Sequence, residues 1–314
     1  MQRYFARRVV LMLPTLLGLT IVVFMAVRLM PGDVIDQLVG ESGTSTPELR
    51  RALEERYNLT GNAVTRYLQW VGGLLRGDLG ESIVSGRPVT HHLRERMAVT
   101  VELGVLALLV SQLIALPVGV ISAVRQDTIA DHVARSFSIL LLAVPSFWLG
   151  LMAITYGFVW FGWTPPLRYT EFWDSPGSNL RSLWVPALIL GAALSGSVMR
   201  MTRSTLLEAL RQDYVRTARA KGLHGRIIIL RHVMRNALIP VVTVIGLQVP
   251  VIVGGTVVLE SIFGLPGLGT FLLDSVQRRD YPAIQGVVLL SGTVVVVTNA
   301  IVDFTYPILD PRIR

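Results

Sequence analysis

Residues 213–240 read DYVRTARAKGLHGRIIILRHVMRNALIP, a dense basic stretch set between two long apolar runs. It holds the only lysine of the 314-residue chain, Lys221, followed at once by Gly222. A segment this polar is too costly to bury in hydrocarbon, so between two membrane spans it must protrude. Its flanks do read as spans. Six stretches carry no Asp, Glu, Lys or Arg: 9–27, 103–124, 136–167, 182–199, 236–259 and 281–302. Each reaches the roughly 18 residues that a helix needs to cross a bilayer core. None shows the polar face of a soluble core helix. With a mean hydropathy of +0.55, the fold class expected is an all-α polytopic membrane protein. It has six transmembrane helices, an external segment after the first, and a cytoplasmic helix between the fourth and fifth.

The run 136–167 is too long for one span, and Trp160, Trp163, Pro165 and Pro166 mark where its end leaves the membrane. The first run follows Arg3, Arg7 and Arg8, as a signal peptide would. It is longer than a signal h-region and no small-residue cleavage site follows, so it reads as an uncleaved first span. The net charge of +8 is a topology signal and not a nucleic-acid footprint. Basic residues concentrate in the N-terminal tail, in the loop 200–235 and at Arg312 and Arg314, whereas the loops 28–102, 168–181 and 260–280 are balanced. This asymmetry assigns both termini, the turn 125–135 and the loop 200–235 to the cytoplasm.

The expected organisation is a tail and first span (1–30), an extracytoplasmic segment (31–96), and a five-span core (97–314) carrying the loop 200–235. In the external segment, Pro47 opens a candidate helix over 48–57, capped by Ser45 or Thr46. A second amphipathic stretch covers 64–75. In the loop 200–235, Leu206, Leu207, Leu210, Tyr214 and Ala218 recur at helical spacing, and Gly222 stands where that helix should stop. The expected path is a cytoplasmic helix, a sharp turn and a return into the membrane near Pro240. The residues alone leave two readings open: a solvated basic loop that only sets topology, or a lever that seats in a partner.

Catalytic signatures are missing. Lys221 sits between Ala220 and Gly222, so no Gly-Lys-Ser/Thr phosphate loop exists, and nucleotide energy, if used, must come from another chain. Cysteine is absent, which removes thiol chemistry and Cys-ligated zinc. Glu102, Glu260 and Asp303 stand at span ends, where carboxylates bond to neighbouring helices or to the interface; ion coupling is the other role open to them. The histidines His91, His92, His132, His224 and His232 make no metal-ligand spacing on one helix face. No metal site and no catalytic residue is expected.

The loop resembles the coupling loop of ABC importer permeases of the peptide/nickel type, which carry close forms of DYVRTARAKGL (213–223) and RNALIP (235–240). So do RYFARRVVLMLPTLLGLT (3–20), GDLG (77–80), GRPV (86–89), ESIFGLPGLG (260–269), RDYP (279–282) and LDPRIR (309–314). The similarity runs in order through the whole chain. In the wider importer signature, Arg216-Thr217-Ala218 stands at the Glu-Ala-Ala place and Gly222 at the glycine, with a longer run to the proline. The resemblance implies a permease subunit of a bacterial inner-membrane importer for di- or oligopeptides or a related solute. Its implied partners are a second homologous permease, two ABC ATPases that bind ATP and magnesium, an extracytoplasmic substrate-binding protein, and lipid. ATPase coupling would fall on Asp213, Tyr214, Arg216, Thr217, Ala218, Arg219, Lys221, Gly222 and Leu223. Glu260, Phe263, Pro266 and Asp280 are the outer-gate or receptor-contact candidates. Gly191, Gly196, Gly254 and Gly255 would let helices approach closely. An ion-gradient-driven carrier and an intramembrane hydrolase are the alternatives.

Overall fold

The computed structural model describes residues 2–30, 62–166 and 168–309. The candidate helix over 48–57, with Pro47 and its caps, lies outside these residues, as does the terminal stretch 310–314. Helices follow the charge-free runs. Those that could cross a membrane are α1 (Gln2–Arg28), α3 (Val89–Val124), α6 (Pro176–Leu210) and α11 (Tyr281–Leu309), together with the segment Gly225–Phe263. That segment comprises a short helical turn (Gly225–Ile227), a π-helical turn (Ile228–Val233), α8 (Met234–Gly246) and α9 (Gln248–Phe263). Shorter helices are α2 (Ala63–Leu74), α7 (Asp213–Ala220) and α10 (Leu268–Gln277). Among the described residues the β-structure is a single bridge between Glu81 and Pro88.

The third run departs from expectation. It is not one span with a trailing end but two helices, α4 (Ile129–Ala143) and α5 (Ser146–Phe161), bent by 92° at the break. Pro145 is the cause. A residue before proline is pushed out of the α region, and Val144 is extended (φ −86°, ψ 122°). At 1.5 Å per residue each piece is about 22–24 Å long, short of the roughly 30 Å core, so the pair is at most one broken span. Among the described residues the candidate spans therefore number five, or six with the pair. The end of the run behaves as expected: α5 stops at Phe161 and Gly162 takes a left-handed conformation (φ 61°).

The chain divides into two compact units, and α3 and α11 contribute residues to both. One comprises Val99–Leu265 with Thr298–Arg314. Its axis is α6: 72% of that helix's most apolar window is buried, against 11–28% for the other spanning helices. Leu103 of α3, Leu183 and Leu190 of α6, and Leu259 of α9 form its main core. Between spans lipid is as apolar as leucine, so such packing depends on close approach and internal hydrogen bonds. A Cβ at Gly191 would lie 2.6 Å from the Ala107 carbonyl oxygen, and one at Gly196 2.8 Å from that of Ser138. Ser138 Oγ donates to the Gly196 carbonyl (2.8 Å), and Gln248 Nε2 donates to that of Leu194 (2.8 Å). Gly255 is also tight, but Gly254 faces open space.

The other unit comprises Gln2–Ala98 with Pro266–Val297. Asn62 caps α2 by accepting from the Val64 N–H (3.1 Å). The helix then lays Tyr67 and Trp70 against Phe24 of α1, with ring centroids 5.1 and 5.8 Å apart. Val89 and Leu93 pack with Leu268, Phe271, Ala283 and Val287 in a second core.

Candidate functional site

The apolar positions 206–218 do not share one continuous helix. α6 runs on past Met199 to Leu210, where the Arg211 and Gln212 N–H groups bond back to Glu208 and Ala209. Gln212 is extended (ψ 150°), and α7 starts afresh at Asp213. That restart rotates the register. Val215 and Ala218, three residues apart, turn inward, whereas Tyr214 is exposed. Both pack with Leu206 and Ala209 of α6, Ala123 of α3, Ile228 and Val233 of the π-helical turn, and Ala237 of α8. Burying Val215 completely stabilises the docked helix by about 1.5–2 kcal/mol. The eight-residue helix is thus seated on three longer elements.

Its outward face carries Asp213, Tyr214, Arg216, Thr217 and Arg219, followed by Lys221, Gly222 and Leu223, all exposed. Ala218, among the residues on which coupling was expected to fall, belongs to the core cluster and is no part of this face. Arg216 Nη1 lies 3.5 Å from Asp213 Oδ1, a solvated pair of little energetic weight. The end of α7 is built by two bonds: Leu223 N–H to the Ala218 carbonyl (3.3 Å) and Gly222 N–H to that of Arg219 (2.9 Å). Together they form a Schellman cap, which needs a left-handed residue, and Gly222 supplies it with φ 73°.

A buried ionic cluster joins α3, α4 and α6 and was not legible in the sequence. Asp131, in the first turn of α4, is fully buried. Its carboxylate accepts from Arg203 of α6, from Ser122 Oγ of α3 (2.5 Å) and from the Asp127 N–H (3.1 Å). No local pattern joins an aspartate to an arginine 72 residues away.

The outer-face candidates separate by burial. Glu260 is fully buried and accepts from Thr100 Oγ1 (2.6 Å); Phe263 beside it is buried as well. Their helix ends at Gly264 (φ 65°), where the Leu265 N–H returns to the Glu260 carbonyl (2.8 Å). Asp280 is buried too, accepting from Ser82 Oγ (2.5 Å) and the Ile83 N–H (3.1 Å). Pro266 alone of the four is exposed. Glu102 takes the bonded role expected for span-end carboxylates, accepting from the Tyr169 hydroxyl and the Asn179 amide, each at 2.7 Å. His91 pairs with Glu95 and His92 with Ser85.

The loop folds as a basic, glycine-capped helix docked on longer elements, and residues 115–314 match the family described as binding-protein-dependent transport system inner membrane component. The chain belongs to this family. It is a multi-pass permease subunit of an ABC importer, and a transporter subunit rather than an enzyme. Its relatives include the dipeptide transport system permease protein DppB of Escherichia coli K12, 39% identical, with 100% of this chain and 99% of the relative covered. The di/tripeptide transport system permease protein DppB of Pseudomonas aeruginosa UCBPP-PA14 is also 39% identical over the same shares. A putative peptide transport system permease protein of Brucella abortus is 38% identical, with 98% of each chain covered. Among solved structures, an inward-facing MetNI methionine ABC transporter chain matches with a TM-score of 0.55 and 18% identity, over 70% of this chain and 97% of that one. It shares the permease fold.

Proposed function

We propose that this permease carries di- or oligopeptides across a bacterial inner membrane, and that ATP hydrolysis in separate ATPase subunits drives it through residues 213–223. The observation that carries the reading is the seating of α7. Its inward face is locked by Val215 and Ala218 to elements continuous with α3, α6 and α8, while its outward face stays free for a partner. A short helix held this way moves with its spans as one body. ATPase closure against Tyr214, Arg216, Arg219, Lys221 and Leu223 is then transmitted to the translocation path. The basic face calls for an acidic rim on the ATPase groove. The peptide cargo is supported by the names of the full-length relatives.

In the assembled importer this chain forms half of the pathway beside a homologous permease, above two ATPases that hold ATP and magnesium. An extracytoplasmic binding protein delivers the peptide to the opposite face. Both termini lie in the cytoplasm, as the charge asymmetry requires. The test is reconstitution of the complete transporter in vesicles. A peptide-loaded binding protein should stimulate ATP hydrolysis and drive uptake. Uptake that persists without ATP and collapses with an ion gradient would instead make the protein a secondary carrier.

A further inference from the structure

The C-terminal end of α1, the helix α2, the loop 78–88 and the start of α11 border a half-open pocket of about 560 Å3, inside one compact unit. This volume lies in the range of sites that take small molecules. Aromatic and apolar groups such as Phe24, Trp70 and Pro282 line it, together with Arg28, Asp78 and Glu81. Two donor atoms on residues that line it, Arg28 Nη1 and Trp70 Nε1, are buried without an acceptor. The Arg28 guanidinium lies 3.5 Å above the Phe24 ring and is repelled by the neighbouring Arg66.

Buried donors of this kind destabilise a fold unless something supplies the acceptor. One donor is cationic and the other is an indole N–H, and neither can accept. Their common complement is an anionic, acceptor-only group such as a carboxylate. The lining is not uniformly basic. Asp78 keeps one oxygen on the Gly80 N–H (2.8 Å), and Glu81 is exposed. Both place negative charge at the same pocket, which disfavours a multiply charged anion and suits a ligand that also carries an ammonium.

We propose that this pocket is a holding site for short zwitterionic peptides, with Arg28 and Trp70 taking the terminal carboxylate. The inference rests on the peptide reading given above and deepens it: the permease would make its own contact with the cargo. The site lies in segments that the charge asymmetry assigns to the outer face, where cargo arrives.

The test uses the complete transporter in nanodiscs without its binding protein, probed with radiolabelled trialanine and trialanine amide. Trialanine should bind saturably, and the amide, lacking the carboxylate, about tenfold more weakly. Trp70→Phe, which keeps the ring and removes only the N–H, should weaken trialanine binding several-fold and the amide, whose carbonyl is a weaker acceptor, less. Arg28→Gln should do the same more strongly. Equal binding of acid and amide, or wild-type binding by Trp70→Phe, would overturn the site. Vesicles that take up trialanine with the binding protein, while the transporter alone holds none, overturn the pocket and leave the cargo reading standing. Vesicles that take up no peptide at all overturn both.

Discussion

Arg203 grips Asp131 through both carboxylate oxygens, Nε to Oδ1 at 2.8 Å and Nη2 to Oδ2 at 2.7 Å. This fork joins the first turn of α4 to α6 one helical turn before Leu206, which packs against α7. Asp131 is fully buried and Arg203 largely so, which makes the pair sensitive to the loss of one member. Asp131→Ala should lower stability by about 3 kcal/mol, because the guanidinium is left without its counter-charge. The double variant Asp131→Leu with Arg203→Met should recover most of that. Thermal unfolding in detergent measures both, and a double variant no better than the single one would show that the ion pair is not the source of the loss.

Val215 and Tyr214 are neighbours with opposite duties. Val215→Ala removes buried methyl groups from the α7 seat and should loosen the helix by about 1–2 kcal/mol. Faster hydrogen exchange across 213–223 would report it. Tyr214→Ala should leave that exchange within about 0.5 kcal/mol of wild type, since surface changes rarely cost more. If Tyr214→Ala loosened the helix as much as Val215→Ala, the assignment of the two faces would be wrong.

What the sequence disclosed follows from this contrast. Spans were legible because the absence of charge over 18 or more residues is a one-dimensional signal. The break at Pro145 was not, since proline is uncharged and its effect is on the backbone of Val144. Gly222 was legible because a left-handed helix end has a strong residue preference, and the structure gives it φ 73°. The inward turn of Val215 in place of Tyr214 was hidden because the register restarts at Gln212. The Asp131–Arg203 fork and the Glu102–Tyr169–Asn179 cluster depend on tertiary proximity, which spacing along the chain does not encode.

The glycines of the spans should divide in the same way. Gly191→Ala and Gly196→Ala push a methyl group against a neighbouring backbone carbonyl at 2.6 and 2.8 Å, and backbone cannot step aside cheaply. Each should cost about 1–3 kcal/mol as overpacking. Gly254→Ala meets nothing within 4 Å and should be neutral or stabilise α9 by about 0.5–1 kcal/mol. Unfolding midpoints of the three variants settle it, and a destabilised Gly254→Ala would point to a close approach absent from this conformation.

Tyr169 predicts an alkaline limit. Burial first, and then its hydrogen bond to Glu102, push the phenol above its ordinary value of 10.0. The folded state thus keeps a proton that the unfolded chain releases. Its stabilising contribution is complete below pH 10 and is lost as pH rises through the raised folded value. Between about pH 9 and pH 11 the wild type should lose stability more steeply than Tyr169→Phe. Unfolding midpoints across that range give the comparison, and parallel profiles would remove Tyr169 as the titrating group.

Gly222 offers the sharpest probe of the lever. A side chain there meets nothing within 4 Å, so no steric clash opposes substitution and only the φ of 73° does. Gly222→Val should therefore cost about 1–2 kcal/mol of left-handed strain, which is enough to undo the last turn of a helix only eight residues long. Asparagine tolerates that conformation far better. In vesicles holding the complete transporter, Gly222→Val should uncouple ATP hydrolysis from uptake, whereas Gly222→Asn should retain most of both. Membrane insertion should be unchanged in each, because the cap lies outside the spans. Normal coupling by Gly222→Val, with the exchange protection of 213–223 shown to be reduced, would mean that force passes through some other part of the loop.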